Sequence, residues 1–524
     1  MKRRDFCKGL AVTLAAGTLA PAAALPQAGA ATALVGRAVP DDYYTLWYRS
    51  DRCGADLRHD YYYSDSLFDH PATEYDNQLA LATLGMAAAA DCTWESDQRY
   101  WMEGEVGRAD HIRDAFAKLG FTEVQLFNYT HSLNDTPDTV GCAIARKTLV
   151  RGGRQVTIIG AFLRGSGYGA EWSGNLHAGP GSAHVGFVTA ARQLVEKIRA
   201  YVQASAKRQP LGTLKLWMGG YSRGGGVANL VAARLPAVLP QLEKKNTFVY
   251  TFAAPASLTA ADCPDLQQDY DNNHAADGSL KKNWGTSNIF NIVSSGDVIP
   301  RILPAEWGFY RNGNDRFLPS TVIPEELQAL NDRSAGMEGT PMDFGRLAVS
   351  EETDAVLRSM LDLFCDRQTY YKGYEDAMRC MLQCATTRTE EEVTRGIVRD
   401  DAAVVAQLRS MELMQRFPQE KVERCVQAAS ALSRPVLEKL GSAVPLQAQQ
   451  IVIPMLAVGL CFELQPETVQ LVADFVLSTI TVKGQLSGIL KTVLCHFQEN
   501  YITVLEAYDP ADHGMTPYTR REEL

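Results

Sequence analysis

A serine surrounded by glycines is the first candidate for chemistry in this sequence. Ser222 lies in Gly220-Tyr221-Ser222-Arg223-Gly224, which has the form G-x-S-x-G. Glycine within a regular element costs roughly 0.5–1 kcal/mol relative to alanine, so the cluster indicates a geometric need. In a nucleophile elbow, a strand precedes this motif, a helix follows it, and residues two before and two after the serine pack too closely for a Cβ. The alternative is a tight strand-to-helix turn with an inert serine.

A reactive serine needs a base, and the base needs an orienting acid. In α/β hydrolases the acid and then the histidine follow the serine along the chain. Asp297 comes just after an apolar run that is typical of a strand, and of the nine histidines only His496 and His513 come later. We favour His496 because apolar residues flank it, whereas His513 lies in a polar tail. The non-catalytic alternative is a half-buried packing histidine for His496 and a solvated tail residue for His513. His184 precedes the serine and is expected to pack or to bind a carbonyl.

The segments around these residues alternate between strands and helices. An apolar run ends just before the serine motif, a helical pattern follows it, and Gly152-Gly153 between two apolar runs indicates a hairpin. This alternation predicts an α/β fold with a mostly parallel sheet flanked by helices, as in α/β hydrolases, and an antiparallel hairpin at its start. The predicted strands are 123–128, 140–149, 155–163, 213–218, 246–253 and 288–293; the predicted helices are 77–90, 111–119, 187–202 and 225–235.

The remaining segments differ in character. Residues 41–58 are aromatic and are predicted to be irregular, and residues 262–287 are predicted to form a surface loop. After about Pro324 strand patterns give way to amphipathic helical ones, so a large all-helical insertion is expected. The predicted organisation is a signal peptide (1–30), an N-terminal helical segment packing on the core (31–120), an α/β-hydrolase core (121–323), a helical insertion or cap (324–490) and a C-terminal return that carries the histidine (491–524).

Composition limits the classes of partner. The formal net charge is −10 and basic residues form no run, which argues against a nucleic-acid partner. The first thirty residues resemble a twin-arginine export signal, with Arg3-Arg4-Asp5-Phe6-Cys7-Lys8, an apolar stretch and the small residues Ala28-Gly29-Ala30. We therefore expect a secreted or cell-envelope bacterial protein. No later window offers about 20 uninterrupted apolar residues.

The spacing of the cysteines does not indicate a metal site or a disulfide pattern. Ten remain after Cys7, with no CxxC spacing and no histidine near Cys380 and Cys384, so a zinc site is not expected. We interpret the ten cysteines as buried thiols or as disulfides of unassigned pairing. The sequence contains no motif for a metal or an organic cofactor, and none is required by the chemistry proposed for the serine.

Several fragments together resemble the class 3, or fungal-type, lipases. They follow one another in the order and with the spacing of that family, over roughly residues 120–320 and a short C-terminal piece. The fragments are 162–166 (FLRGS, like F-R-G-[ST]), Trp172 with 175–176 (like D-W-x-x-[ND]-L), 184–187 (HVGF, like V-H-x-G-F), 220–225 (like G-[HY]-S-x-G-G), 251–255 (like T-F-[GA]-x-P) and 296–301 (like N-D-x-V-P-R).

The resemblance implies a role for each matching residue. It implies Ser222 as nucleophile, Asp297 as the acid of the triad, and an oxyanion hole made by Ser166 and the backbone N–H of Arg223. The H-x-x-x-x-Tyr pattern of the family fits His496 with Tyr501, and it fits His513 with Tyr518 equally, so both histidines stay open. The chain departs from the family in its long interval between Asp297 and His496.

The resulting prediction is a secreted serine hydrolase that cleaves carboxylic esters, in particular those of lipids, through an acyl-enzyme. Its partner would be a small-molecule ester or lipid substrate, with transient contact to a lipid surface. Two alternatives remain: a thioesterase or acyltransferase with the same triad, and a non-catalytic lipid-binding protein with a relic elbow. The sequence predicts no oligomeric state.

Overall fold

The structure is a computed structural model, and it describes most of the chain in separate stretches. The predicted signal peptide, His513, most of 262–287 and part of the predicted insertion lie outside these stretches. The described residues are 36–50, 55–91, 109–129, 138–166, 169–181, 183–259, 285–294, 296–304, 307–318, 358–359, 361–364, 366–386, 395–441, 446–470 and 495–507.

A seven-stranded sheet forms the centre of the fold, in the order β11-β9-β7-β6-β5-β4-β3. Strands β5, β6, β7, β9 and β11 are parallel to one another, and β4 runs antiparallel to its neighbours β3 and β5. The predicted α/β class, with a mostly parallel sheet, is therefore confirmed. Its strands are β3 (Thr122–Phe127), β4 (Cys142–Arg151), β5 (Arg154–Leu163), β6 (Thr213–Tyr221), β7 (Thr247–Phe252), β9 (Ile289–Ser294) and β11 (Asn314–Leu318).

The predicted hairpin joins β4 to β5. Gly152 and Gly153 form its turn with φ of 53° and 74°, values that favour glycine. Two shorter strands, β8 (Leu258–Thr259) and β10 (Phe309–Tyr310), pair with each other outside the main sheet.

Helices cover both faces of the sheet. One face packs on α4 and α5, and the other packs on α1, as expected for buried parallel strands. The helices are α1 (Asn77–Ala90), α2 (Asp110–Lys118), α3 (Gly169–Gly174), α4 (Val185–Arg208), α5 (Arg223–Val238), α6 (Glu375–Thr386), α7 (Asp401–Ser410), α8 (Gln419–Leu440), α9 (Leu446–Cys461) and α10 (Gln498–Ala507).

The prediction of an irregular segment at 41–58 was wrong, and the N-terminal segment is not all helical. Antiparallel strands β1 (Asp42–Ser50) and β2 (Ala55–Tyr63) pair along their full length. From Thr45 onward β1 alternates between less and more buried residues, with Leu46 and Tyr48 facing the core. Aromatic residues are enriched in half-buried strands, so the aromatic content that suggested irregularity is typical of such a hairpin.

Helix α1 lies between the hairpin and the sheet. It is apolar on every side, and twelve of its residues are buried, as expected for a helix enclosed by other elements. The hairpin, α2 and α10 pack against it opposite the sheet. Gly85 leaves space for the ring of Tyr61, because a Cβ there would lie 2.7 Å from a ring carbon.

Within the described part of 324–490 there are helices and no strand. Helices α6 to α9 pack on one another, and α6 also packs on α3. The segments Arg367–Thr369 and Tyr370–Tyr374, the second of them π-helical, lead into α6. Among the helices in the described stretches, none has the length and apolar content that a membrane crossing needs.

Candidate active site

Ser222 lies on a strained turn between β6 and α5. Its φ of 54° and ψ of −126° are unfavourable for a residue with a side chain. The two glycines of the motif allow this turn: a Cβ on Gly220 would lie 2.4 Å from the carbonyl oxygen of Gly224, and one on Gly224 would lie 2.4 Å from that of Arg164. Real Cβ atoms do not come so close, so the glycines have the steric role that the sequence indicated.

Three side chains that the sequence analysis selected form one hydrogen-bonded chain. The Oγ of Ser222 lies 2.9 Å from Nε2 of His496, and Nδ1 of His496 lies 2.8 Å from Oδ2 of Asp297. A carboxylate accepts hydrogen bonds, so the ring proton belongs on Nδ1, and Nε2 is left to accept from the serine hydroxyl. The geometry is that of a nucleophile, a general base and an orienting acid.

Asp297 is fully buried just beyond the end of β9, and three groups donate hydrogen bonds to its carboxylate. Besides His496, the backbone N–H of Ile299 donates to Oδ1 at 2.9 Å and the hydroxyl of Tyr501 donates to Oδ2 at 2.8 Å. Burial, followed by the charge of Asp297, raises the pKa of Tyr501 well above its usual range. The tyrosine therefore stays a donor, and the buried carboxylate is held in one orientation.

His496 is in a turn directly before α10. A residue at the end of β6 holds this turn in place. The hydroxyl of Tyr221, at the end of β6, donates to the backbone carbonyl of His496 at 2.6 Å. The ring of Tyr221 also lies 5.5 Å from those of His496 and Tyr501. The residue preceding the serine thus holds the segment that carries the imidazole.

The two predicted oxyanion residues are joined by a third side chain, Asn175. Its Nδ2 donates to Oγ of Ser166 at 2.9 Å, and its Oδ1 accepts from the guanidinium of Arg223 at 2.7 Å. Because the Ser166 oxygen accepts from Asn175, its own proton is available for another acceptor. Arg223 is the first residue of α5, and the first N–H groups of a helix have no partner within that helix. Asn175 therefore connects Ser166, in the loop after β5, with the first residue of α5.

An ion pair buried on both sides connects the loop after β5 to α3. Arg164 donates to both carboxylate oxygens of Glu171, at 2.6 and 2.9 Å, and neither side chain is exposed. Breaking such a pair leaves a buried charge uncompensated and typically costs about 3–5 kcal/mol. This ion pair therefore links the segments that precede and follow Ser166.

His184 does not belong to the hydrogen-bonded chain of Ser222. It caps α4: its Nδ1 accepts from the N–H of Phe187 at 3.3 Å, and its Nε2 lies 3.0 Å from the carbonyl oxygen of Asn175. Burial, followed by the charge of Arg223, lowers its pKa to about 3. The sequence expectation of a packing and carbonyl-binding role is confirmed.

Sequence reasoning missed two contacts of this site. It included Tyr221 only as a motif letter and Asn175 only as part of a matching fragment, without assigning a contact to either. Polar residues next to a candidate nucleophile were the available signal, but their partners are 275 and 48 positions away in the chain.

Groups that could bind a metal are not found in the described stretches, where no three histidine, cysteine or acidic side chains come together suitably. Six cysteines fall in those stretches, all as free thiols, and five of the six are buried. Cys380 and Cys384 are among the buried ones, in agreement with the interpretation as buried thiols.

The comparison with protein families finds a match to the sequence model of the class 3 lipases over residues 165–307. That range contains Ser166, Ser222 and Asp297, whereas His496 lies beyond it. No curated protein matches the chain.

Among solved structures, similar ones include fungal lipases. The Rhizomucor miehei lipase propeptide complex is 20% identical, with 46% of this chain and 68% of that chain covered and a TM-score of 0.31. The lipase from Rhizopus microsporus var. chinensis is 16% identical, with 47% and 75% covered and a TM-score of 0.30. Lipase II from Rhizopus niveus is 17% identical, with 34% and 61% covered and a TM-score of 0.24.

Proposed function

We propose that this protein is a lipase-type serine hydrolase that cleaves carboxylic esters, with Ser222, His496 and Asp297 as its triad. The observation that carries the proposal is the chain of contacts from the serine oxygen to Nε2 at 2.9 Å and from Nδ1 to the buried carboxylate at 2.8 Å. The match to the class 3 lipases over residues 165–307 supports an ester hydrolase of lipase type.

The proposed reaction has two halves. His496 takes the proton of Ser222 as the serine oxygen attacks the ester carbonyl, and Ser166 with the N–H of Arg223 stabilises the negative charge that develops on the carbonyl oxygen. The tetrahedral intermediate expels the alcohol, which receives the proton from His496, and an acyl-enzyme remains. Water then loses a proton to His496, attacks the acyl carbonyl and releases the carboxylic acid, while Ser222 regains its proton.

Lipid esters are the substrate class that we propose, with transient contact to a lipid surface. The support for this substrate class is the match to the lipase family. A thioesterase or acyltransferase would use the same triad and differ in the leaving group or in the acceptor. We also propose export of the protein, on the basis of the twin-arginine pattern at its N-terminus.

Replacing the nucleophile tests the proposal directly. We expect Ser222→Ala to abolish hydrolysis of short- and long-chain p-nitrophenyl esters, with kcat on the order of 10⁶-fold lower than that of the wild type. The matched control is Ser205→Ala, which removes a buried serine hydroxyl in α4 and should leave the rate unchanged. Equal rates for Ser222→Ala and the wild type would contradict catalysis and favour the lipid-binding alternative.

The two late histidines form a second matched pair. We expect His496→Ala to lose ester hydrolysis as fully as the serine variant, because the imidazole and the serine act as one unit. His513→Ala should retain the wild-type rate. The opposite result, with His513→Ala inactive and His496→Ala active, would move the proposed base to the C-terminal tail.

A further inference from the structure

Asp91 lies where two parts of the candidate active site meet. It follows the last residue of α1, and its two carboxylate oxygens have different partners. Oδ1 accepts the backbone N–H of Gly165, and Oδ2 accepts the side-chain amide of Gln498. Gly165 immediately precedes Ser166, and Gln498 comes two residues after His496 and begins α10.

The backbone next to Asp91 is held by hydrogen bonds and by burial. Its own N–H donates to the carbonyl of Ala88, and the hydroxyl of Tyr129 donates to the carbonyl of Ala90 at 2.7 Å. Helix α1 is enclosed by the sheet, the hairpin, α2 and α10, and Ala90 is fully buried. A side chain attached to such a helix end keeps its position, as a group that orients others must.

The residue type matches this double contact. A carboxylate has two acceptor oxygens and no donor, so it accepts from Gly165 and from Gln498 at once, and its charge strengthens both bonds. An asparagine offers one acceptor and would direct its NH₂ group at one of the two donors.

We propose that Asp91 is a positioning residue that sets the spacing between the oxyanion donor Ser166 and the base His496. This inference rests on the proposed ester hydrolysis and adds a residue to it. Asp91 does not touch the reacting atoms; it acts through Gly165 on one side and through Gln498 on the other. Because the oxyanion donor and the base must both be correctly placed at the same carbonyl, losing the common support lowers the rate of the chemical step.

The first test is Asp91→Asn. We expect kcat for p-nitrophenyl esters to fall about 10- to 100-fold, the range that displacements of about an ångström produce, while KM stays within about two-fold. The matched control is Asp76→Asn at the opposite end of the same helix, where Asp76 accepts the N–H of Leu79 at 2.7 Å. Asparagine also caps helices well, so this control should keep wild-type kcat.

Charge alone predicts the reverse result. A negative group near the oxyanion site opposes the charge that develops there, so a purely electrostatic effect of Asp91 would make Asp91→Asn faster. A kcat that is unchanged or raised in Asp91→Asn therefore overturns the positioning role. A loss confined to KM, with kcat retained, overturns it as well.

A double-mutant cycle provides a readout that a general loss of stability would not reproduce. Gln498→Ala removes the second contact from the other side, and we expect it to lower kcat as Asp91→Ala does. If both act through the same bond, the double variant should lose much less than the product of the two single losses. Fully multiplicative losses would overturn the proposal.

The rate of covalent inactivation by a fluorophosphonate, which reports nucleophile activation without an ester substrate, should follow kcat through the cycle. This second readout also separates the two levels of inference. A wild-type protein that neither hydrolyses esters nor reacts with the fluorophosphonate contradicts the proposed function itself. An active wild type with unaffected Asp91 and Gln498 variants contradicts only the positioning role.

Discussion

Asp297 shares one carboxylate oxygen between two donors, the imidazole of His496 and the hydroxyl of Tyr501. The hydroxyl of Tyr501 also accepts the backbone N–H of Ser294 at 3.1 Å. Tyr501 thereby ties the acid to the end of β9, the strand that precedes it. The orientation of the proposed acid depends on a residue from α10, the same helix that follows the base.

Removing this hydroxyl should reduce catalysis without removing a triad member. We expect Tyr501→Phe to lower kcat/KM about 10-fold, which corresponds to about 1.4 kcal/mol of transition-state stabilisation, because the buried carboxylate loses one of its donors. Steady-state kinetics with p-nitrophenyl esters measures the effect, with Tyr371→Phe at an exposed position as the control. A rate equal to the wild type would show that the imidazole and Ile299 suffice to orient Asp297.

For the candidate site, the sequence indicated the types of the three central residues and their order along the chain. The G-x-S-x-G motif, the aspartate after a strand and the late histidine selected Ser222, Asp297 and His496, which lie within hydrogen-bonding distance of one another. The supporting residues were not predictable. Tyr221 and Asp91 contact partners 275 and 407 positions away, and no local spacing encodes which element a hydroxyl or carboxylate will face.

Helix α4 begins at a histidine that is buried in its neutral form. Burial, with the charge of Arg223, lowers the pKa of His184 to about 3, whereas an unfolded histidine titrates near 6.5. Between these two values the unfolded chain binds a proton that the folded chain excludes. The free energy of unfolding should therefore fall as the pH falls from about 6.5 to about 3, by up to about 5 kcal/mol from this residue.

His184→Asn should flatten this acid dependence. Asparagine retains an acceptor for the N–H of Phe187 and so preserves the cap of α4, but it has no proton to bind. Urea unfolding at a series of pH values between 7 and 4 measures the free energy of unfolding, with His70→Asn, between β2 and α1, as the control for loss of a histidine. An acid dependence identical to that of the wild type would mean that other groups dominate.

The elements of the core followed from local patterns. Strand-like segments predicted the strands of the main sheet from β3 to β9. An alanine-rich composition predicted α1, and helical patterns predicted α2, α4 and α5, with ends that moved by up to six residues. Hairpin β1–β2 was missed because its alternation is carried by tyrosines and interrupted by charged residues such as Arg49. The contacts of both strands with α1, which the sequence does not show, identify the buried face of the hairpin.

The helical region is docked on the segment that follows Asn175. The hydroxyl of Tyr370 donates to the carbonyl of Leu176 at 2.9 Å, and the guanidinium of Arg367 donates to that of Gly181 at 2.6 Å. Glu375 accepts the N–H of Gly179 at 3.0 Å. These contacts reach the stretch between α3 and α4, which directly follows Asn175, the residue that links the two proposed oxyanion donors.

Loosening this docking should affect stability and rate together. We expect Arg367→Ala to lower the free energy of unfolding by about 1.5–3 kcal/mol, as for other hydrogen bonds of charged groups, and to lower kcat as well. Arg367 is buried and also stacks on Phe309, with its guanidinium 4.6 Å from the ring centre. Urea unfolding and ester kinetics on the same preparations measure both effects.

The matched control for the docking is Arg416→Ala. It removes an exposed ion pair with Asp376 within the same helical region, worth at most about 1 kcal/mol, and, as Arg367→Ala does, the stacking of a guanidinium on aromatic rings, here those of Phe417 and Phe462. A large loss of kcat in this control, or none in Arg367→Ala, would indicate that the helical region does not influence the candidate site through the docked segment. The sequence predicted the helical character of this region, but the partners of its first turn are carbonyls of a distant loop, which no pattern identifies.

The distance along the chain between Asp297 and His496 also has a consequence for biosynthesis. The ribosome produces the alcohol and the carboxylate long before it adds the imidazole, which arrives 199 residues after the acid. A nascent polypeptide that stops between Ser222 and His496 therefore carries the proposed nucleophile without its base. Under the proposed mechanism, truncated translation products would be unable to attack the lipids of the cell that makes them.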